Sequence, residues 1–174
     1  MPVGCDENSD PLMTKEQYLT WFDEVLQPTE PTFLRVPPEK LDFKLTERSF
    51  SIGQLVSHIP ASLSFMAKVI RREELPQKSL RGILLSNRHQ SSASVEEGVK
   101  RLKAATSEFK DAVGALTEDR FQHELLDTPQ RGRVHYWRYC AFVLEHHIHH
   151  LMELHLCLKV LGVRVNTITL YAGG

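Results

Sequence analysis

The feature that most constrains the fold is the stretch between Arg133 and Gly162, which contains neither proline nor glycine. Because these two residues interrupt or end helices, the stretch predicts one long helix that stops at Gly162. Five of the nine histidines fall within residues 144–155 of this helix. Most of the imidazoles in the chain are therefore expected to be placed by a single helix.

Two of these histidines, His146 and His150, are predicted to face the core together. They are four residues apart, so their Cβ atoms lie roughly 5–6 Å from each other and both imidazoles can converge on one cation. A lone inward histidine is more often a core residue that is hydrogen-bonded to a carbonyl. Two buried imidazoles need more partners, and a shared metal satisfies one nitrogen of each, so the pair favours a metal site that needs at least one more ligand. At about 100° per residue, the same face carries Tyr139, Val143, Leu154, Cys157 and Leu161.

The neighbouring histidines receive different predictions. His149 falls in the exposed sector of the helix, and His155 lies about 180° from His146, so both are predicted to be structural or surface residues. His147 flanks the inward pair and is the reserve ligand. Cys157 lies about two turns beyond the pair and is predicted to be a small core residue rather than a ligand.

Composition limits the class of protein. A chain of 174 residues with 41% hydrophobic and 25% charged residues is typical of one globular domain. A net charge of −1 gives no electrostatic case for nucleic acid or an anionic membrane as a partner. Neither a membrane span nor a signal peptide is recognisable, which predicts a cytoplasmic protein. The three cysteines, Cys5, Cys140 and Cys157, have no CxxC spacing, so neither a disulfide framework nor a thiolate zinc site is indicated.

Helices are also predicted upstream of the long one. After a flexible N-terminal tail, residues 1–13, the first should begin at a Thr14 cap, with Gln17 completing a capping box, and reach about Leu26. The third should follow a capping box at residues 94–97 and end near Thr117.

The second helix carries the candidate third ligand. It is predicted to begin at Ser49 or Ser51, and His58 borders its apolar stripe. Pro60 predicts a kink within a turn of His58. Two interpretations stay open. The kink is tolerated packing strain, or it tilts the His58 imidazole towards the last helix. The stripe consists of Ile52, Leu55, Ile59, Leu63, Met66, Val69 and Ile70.

The intervening segments are predicted to be connections. Prolines exclude a continuous helix over residues 27–48, apart from a short turn at residues 38–41, and residues 74–93 are polar and uneven. Residues 117–133 connect the third helix to the fourth, and the tail at 164–174 is extended in character and should pack along the bundle. Four amphipathic helices without convincing strand pairs predict an all-α fold, a four-helix bundle with long crossover connections.

Two segments of the chain resemble the DinB superfamily, the DinB/YfiT-like metalloenzymes. Pro38-Glu-Lys-Leu-Asp42 followed by Arg48-Ser-Phe-Ser-Ile-Gly-Gln-Leu-Val-Ser-His58-Ile59 is similar to the start of that family's second helix, which ends on a metal-binding histidine. His146-His-Ile-His-His150 and the following Leu158-Lys-Val-Leu-Gly-Val163 resemble its fourth-helix motif, and Thr169-Leu-Tyr171 resembles a turn that follows it. The resemblance implies a domain over residues 14–174.

Carried over by this resemblance, the metal ligands are His58, His146 and His150. The sequence departs from the family where Leu151-Met152-Glu153 stands in place of an Arg-Gly-Gln segment. Glu153 is on the side of the ligands, about 60° from His150, and is expected to orient a ligand or a bound water.

The resemblance implies a divalent metal, zinc or nickel, with open coordination positions beside three imidazoles. Similar proteins include transferases and isomerases that use low-molecular-weight thiols such as bacillithiol or mycothiol. The expected function is metal-dependent transfer of a thiol to an electrophilic small molecule, with hydrolysis as the second reaction. Two alternatives stay open: a non-catalytic metal-binding or stress-response bundle, and a helical interaction module without metal. The predicted outward positions of Met152 and Leu156 suggest a homodimer.

Overall fold

In the computed structural model, residues 13–74 and 90–172 of the chain are described. Residues 1–12 of the predicted N-terminal tail and residues 75–89 of the predicted connection lie outside this part of the chain. The described elements, in chain order, are α1 (Lys15–Leu26), α2 (Thr29–Leu34), a short 3₁₀ turn (Pro38–Lys40), α3 (Ile52–Ile70), α4 (Val95–Gly114), α5 (Glu118–His123), β1 (Leu125–Thr128), β2 (Gly132–His135), α6 (Tyr136–Val160) and α7 (Thr167–Ala172).

The four long helices α1, α3, α4 and α6 enclose one hydrophobic core, which confirms the predicted all-α class. Helix α3 packs against both α4 and α6, so it lies between them. Its apolar stripe is buried as the periodicity predicts, from Ile52 to Ile70. Aromatic residues fill the centre, where the rings of Phe22 and Phe109 stack with centroids 4.8 Å apart. Among the described residues, no helix is both long enough and apolar enough to cross a membrane.

Helix starts follow the capping signals in the sequence. Thr14 and Gln17 form the predicted capping box of α1, and Ser51 rather than Ser49 caps α3, in a capping box with Gln54. At α4 the Ser94 side chain accepts the predicted hydrogen bond from the Glu97 amide. The Glu97 carboxylate, however, accepts from the Ala93 amide, one residue before the expected cap. These bonds satisfy amides that have no partner inside their own helix.

Helices α3 and α4 approach each other closely at a glycine. A Cβ atom on Gly98 would lie 2.1 Å from Cγ1 of Val56, far inside van der Waals contact. Val56 is two residues before His58 and is fully buried. The absence of a side chain at position 98 therefore sets how near α4 comes to the part of α3 that carries His58.

The predicted connection at residues 117–133 contains structure that the sequence analysis missed. Thr117 caps the short helix α5, and an antiparallel hairpin follows, in which Leu125 pairs with His135 and Thr128 with Gly132. Gly132 has a positive φ of 66°, which a β-branched or bulky residue would adopt only with strain. The expectation that the chain has no strand pair is therefore wrong, and α6 begins at Tyr136 because the preceding residues belong to this hairpin.

The prediction of an extended C-terminal tail is also wrong within the described residues. Thr167–Ala172 form helix α7, although β-branched residues dominate its first turn. Asn166 explains the difference: its side-chain oxygen accepts a hydrogen bond from the Thr169 amide at 3.0 Å, as an N-cap residue does. The long helix itself ends as predicted, with Gly162 at a φ of 75° just after α6.

Candidate metal centre

Three imidazoles meet where α3 faces α6. His58 comes from α3, while His146 and His150 are one turn apart on α6. The ring centroids are 4.6 Å apart for His58 and His150, 4.6 Å for His146 and His150, and 5.4 Å for His58 and His146. One nitrogen of each ring can be chosen so that all three lie within 4.8 Å of one another. The three residues singled out from the sequence are thus brought to one point.

Phe50 shields this cluster from one side. Its ring stacks on His58 with centroids 5.1 Å apart and meets the edge of His150 at 5.6 Å. His58 and His150 are only 6% and 9% exposed. An apolar wall lowers the local polarity, which strengthens electrostatic interactions inside the cluster. The sequence analysis quoted Phe50 only as part of a motif and gave it no role.

Burial keeps His146 neutral. Burial, together with the smaller effect of the charges that His150 and His58 would carry when protonated, lowers the pKa of His146 from 6.5 to about 3. At neutral pH the imidazole of His146 therefore retains a lone pair on one ring nitrogen. A neutral imidazole is the form that binds a metal ion.

Glu153 fixes the orientation of His150. The Nδ1 atom of His150 lies 3.3 Å from Oε2 of Glu153, one turn further along α6. The hydrogen bond from His150 holds the pKa of Glu153 below its ordinary value. Because a carboxylate can only accept, the proton sits on Nδ1 and the lone pair is left on Nε2 of the same ring. Carboxylate–histidine pairs of this kind orient the imidazole ligands of metal sites.

A charged rim, formed by Arg131, Arg138 and Glu145, lies beyond Phe142 on the His146 side of the cluster. Phe142, one turn before His146, has its ring centroid 6.0 Å from that imidazole, and the Arg131 guanidinium lies 4.5 Å over the Phe142 ring. The Glu145 carboxylate pairs with Arg131 at 3.1 Å and with Arg138 at 2.9 Å. Two guanidinium groups therefore share one carboxylate, which leaves this rim with an excess of positive charge.

His147, the reserve ligand, points elsewhere. Its Nε2 lies 2.8 Å from the Thr29 hydroxyl on α2, and its side chain is 3% exposed. Burial, with a smaller contribution from the charge of His150, lowers the pKa of His147 to about 4. His147 therefore belongs to a contact between α2 and α6, which the sequence gave no signal to predict because Thr29 is more than a hundred residues away.

The other predictions on α6 are consistent with the structure. His149 is exposed, as its sector predicted, and His155 is buried at 1% exposure, which makes it structural. Cys157 is fully buried, and burial raises the pKa of its thiol to about 11, so the thiolate form of a ligand is disfavoured. Cys157 is thus a core residue.

The arrangement suits a divalent cation of borderline softness. Imidazole nitrogens are preferred ligands of zinc, nickel and copper, and three of them from protein leave further coordination positions open. The buried neutral lone pair of His146 and the tautomer that Glu153 imposes on His150 are both features that such a ligand set requires. The residues present therefore fit a metal ion.

Comparisons with known proteins agree with this fold. Residues 22–154 match the model of the DinB superfamily. A DinB-like protein of Bacillus cereus, known from its crystal structure, superposes with a TM-score of 0.71 at 14% identity, covering 88% of this chain and 97% of its own. A DinB-like protein of Bacillus subtilis superposes with a TM-score of 0.63 at 18% identity, covering 86% and 94% respectively. No curated protein matches the sequence. Because the family model spans most of the chain, including all three clustered histidines, the protein belongs to the DinB superfamily.

Proposed function

We propose that the protein is a metal-dependent enzyme that uses His58, His146 and His150 to hold a divalent ion, zinc or nickel, and activates a low-molecular-weight thiol. The observation that carries the proposal is the convergence of three ring nitrogens, one from each histidine, within 4.8 Å of one another. A structural zinc site has four protein ligands, whereas three leave room for a reactant. The donor set therefore favours catalysis over a purely structural ion.

Each residue near the cluster has a distinct part. Glu153 holds the Nδ1 proton of His150 so that Nε2 is presented to the centre. Phe50 excludes water on the side of His58, against which its ring stacks. When bound, the ion would lower the pKa of an adjacent thiol or water, so that the nucleophile exists as an anion near neutral pH. The thiolate sulfur would then form a bond to an electrophilic carbon, whose leaving group departs with the bonding electron pair.

The rim supports a small-molecule substrate with an acidic group. Arg131 and Arg138 share the single carboxylate of Glu145, and all three side chains are 38–50% exposed. Because one carboxylate does not neutralise two guanidinium groups, a carboxylate or phosphate on the thiol or the electrophile could also pair with Arg131 or Arg138. The guanidinium of Arg131 is already held in place over the Phe142 ring. The rim would thereby select acidic over neutral substrates of equal size.

The function is tested by loading purified protein with zinc or nickel and following the loss of an electrophile, such as 1-chloro-2,4-dinitrobenzene, with and without bacillithiol, mycothiol or a simple thiol. We expect turnover that requires both the metal and a thiol. His146→Ala should abolish it, whereas His149→Ala, a matched change on the exposed side of the same helix, should leave it intact. Metal-loaded protein that is inactive with every thiol, or equal rates in the two variants, would contradict the proposal.

Water is the second candidate nucleophile at the same centre. The same lowering of pKa would make hydroxide available to attack an ester or amide. Turnover of an activated ester without any thiol, lost in His146→Ala, would favour hydrolysis.

The alternative of a non-catalytic metal-binding bundle draws support from Leu151-Met152-Glu153, which replaces the family's Arg-Gly-Gln. Bound metal with neither activity would favour that alternative.

We also propose that residues 14–174 form a single domain and that the protein acts in the cytoplasm as a homodimer. The support for a dimer is the set of apolar side chains, including Met152 and Leu156, that α6 leaves exposed. The absence of disulfide-type cysteine spacing supports a reducing compartment.

A further inference from the structure

The rim of the metal centre already holds one carboxylate, that of Glu145. Its Oε2 accepts a hydrogen bond from Arg131 at 3.1 Å and its Oε1 accepts one from Arg138 at 2.9 Å, so each guanidinium takes one oxygen. Within the described parts of the chain, neither arginine has a second carboxylate partner. Glu145 therefore shows which chemical group this pair of arginines binds, and it would compete with a ligand that carries the same group.

Arg131 is held in place by contacts that do not involve Glu145. Its backbone amide donates to the Thr128 hydroxyl at 3.0 Å, inside the turn between β1 and β2. In the same turn, the side-chain oxygen of Gln130 accepts a hydrogen bond from the Tyr139 hydroxyl on α6 at 3.1 Å. These two bonds fix the turn on α6, so loss of the Glu145 carboxylate would leave the position of Arg131 unchanged.

The two arginines are placed differently relative to the clustered histidines. The Arg131 guanidinium lies over the Phe142 ring, whose centroid is 6.0 Å from that of His146. His146 is partly exposed, so the cluster is open to solvent on this side. Arg138 precedes His146 by eight residues, which is about 12 Å along the axis of α6. Arg131 is thus the arginine that a ligand at the cluster can reach, while Arg138 can retain Glu145 when Arg131 changes its partner.

We propose that Glu145 is an internal substitute for the acidic group of the substrate: on binding, the substrate carboxylate replaces Glu145 on Arg131, and Glu145 stays paired with Arg138. The proposal rests on the proposed function, in which an acidic thiol or electrophile binds at the metal centre. An exchange of one carboxylate for another leaves Arg131 with the same kind of charge-assisted hydrogen bond, so an acidic ligand gains less than it would from an unoccupied guanidinium. Arg131 is then a specificity-determining residue, and Glu145 lowers the affinity for acidic ligands.

Equilibrium binding to metal-free protein, followed by NMR titration, tests the exchange. The probe is S-methylglutathione, which carries carboxylates but no reactive thiol, and its diethyl ester is the matched ligand with the carboxylates blocked. Glu145→Gln is expected to tighten binding of the acid about 3–5-fold, as removal of an exposed charged competitor should, and to leave binding of the ester unchanged. Arg131→Gln should weaken binding of the acid by a similar factor. Glu16→Gln makes the same change of charge at an exposed position of α1 and should alter neither affinity.

A double-mutant cycle separates the exchange from a general effect of charge. Because Arg138 acts only by retaining Glu145, Arg138→Gln should weaken binding of the acid in the wild-type background and have no effect in the Glu145→Gln background. If positive charge alone attracted the ligand, the weakening would be the same in both backgrounds, and that result would overturn the exchange. Glu145→Gln protein that binds the acid no more tightly than wild type, or that gains equally for the ester, would overturn it as well.

The proposed function is decided separately, by turnover of an electrophile with metal and a thiol. The expected binding pattern without any turnover would leave the exchange standing and contradict the enzyme. Turnover in a protein whose affinity for the acid does not respond to Glu145→Gln would support the enzyme and overturn the exchange.

Discussion

Two sets of histidines on α6, His146 with His150 and His147 alone, have the same side chain but different surroundings. His146 and His150 face His58, so the three imidazoles lie against one another, and the Glu153 carboxylate contacts His150. His147 faces the Thr29 hydroxyl and lies 100° around the helix from His146. The difference teaches that adjacency in sequence does not make a ligand. The direction of the ring nitrogens decides whether a buried imidazole holds a helix contact or an ion.

Acid is expected to affect both sets and to have the largest effect. Burial lowers the pKa of His146 to about 3 and that of His147 to about 4, from 6.5. Between those values and 6.5 the unfolded chain binds more protons than the folded one, so the free energy of unfolding falls as the pH falls. The slope should reach about 1.4 kcal/mol per pH unit for each group. Urea unfolding of metal-free protein between pH 7 and pH 4 measures it, and His147→Gln should reduce the slope while His149→Ala should not.

Metal affinity should depend on the clustered histidines and not on their exposed neighbour. His146→Ala is expected to weaken metal binding by more than about 100-fold, because it removes a direct ligand rather than an outer hydrogen bond. His149→Ala should leave the affinity unchanged, since that side chain is exposed. Competition with a chromophoric chelator gives both affinities. Equal metal binding by the two variants would show that the faces of α6 are assigned wrongly.

The outer partner of the cluster should matter less than its ligands. Glu153→Ala removes the acceptor of the His150 Nδ1 proton and is expected to cost about 10–100-fold in metal affinity. Glu153→Gln keeps an oxygen that can accept this proton and should cost less. The same chelator competition measures both variants. An affinity for Glu153→Ala equal to that of the unmodified protein would remove Glu153 from the site.

The smallest expected effect concerns His147 and its contact with Thr29. Thr29→Val keeps the shape of a fully buried side chain but leaves Nε2 of His147 without its hydrogen bond. The expected cost is about 1–3 kcal/mol in the free energy of unfolding. Metal affinity should not change. A loss of metal binding in this variant would mean that the two sets of histidines act together.

What the sequence could predict is what local patterns encode. The four-residue spacing of His146 and His150 places both rings on one face of any helix. Two of the three clustered histidines could therefore be placed together from the sequence. The caps at Thr14 and Ser94 are equally local, since side chain and amide lie three residues apart. His58 was a candidate from its place beside the apolar stripe and the Pro60 kink, and the resemblance to a family then added it to the ligand set.

What the sequence could not predict depends on contacts between distant segments. Phe50 acquires its place only when α3 meets α6, and Thr29 only when α2 packs on His147. The hairpin is a different case, because Pro129 in the turn and Gly132 at the start of β2 were a readable turn signal. The tail was misread because β-branched residues outweighed the capping asparagine, Asn166, in the interpretation.

Gly98 has no side chain, and this affects the metal centre indirectly, through the packing of α4 against α3. A methyl group there would collide with Val56 and push α4 away from the segment of α3 that carries His58. Because α3 lies between α4 and α6, any share of that displacement taken up by α3 would press His58 towards His146 and His150 and crowd the donors without changing any of them. The ratio of zinc to nickel affinities in that variant would measure how far helix spacing, rather than ligand identity, tunes the preference of the site.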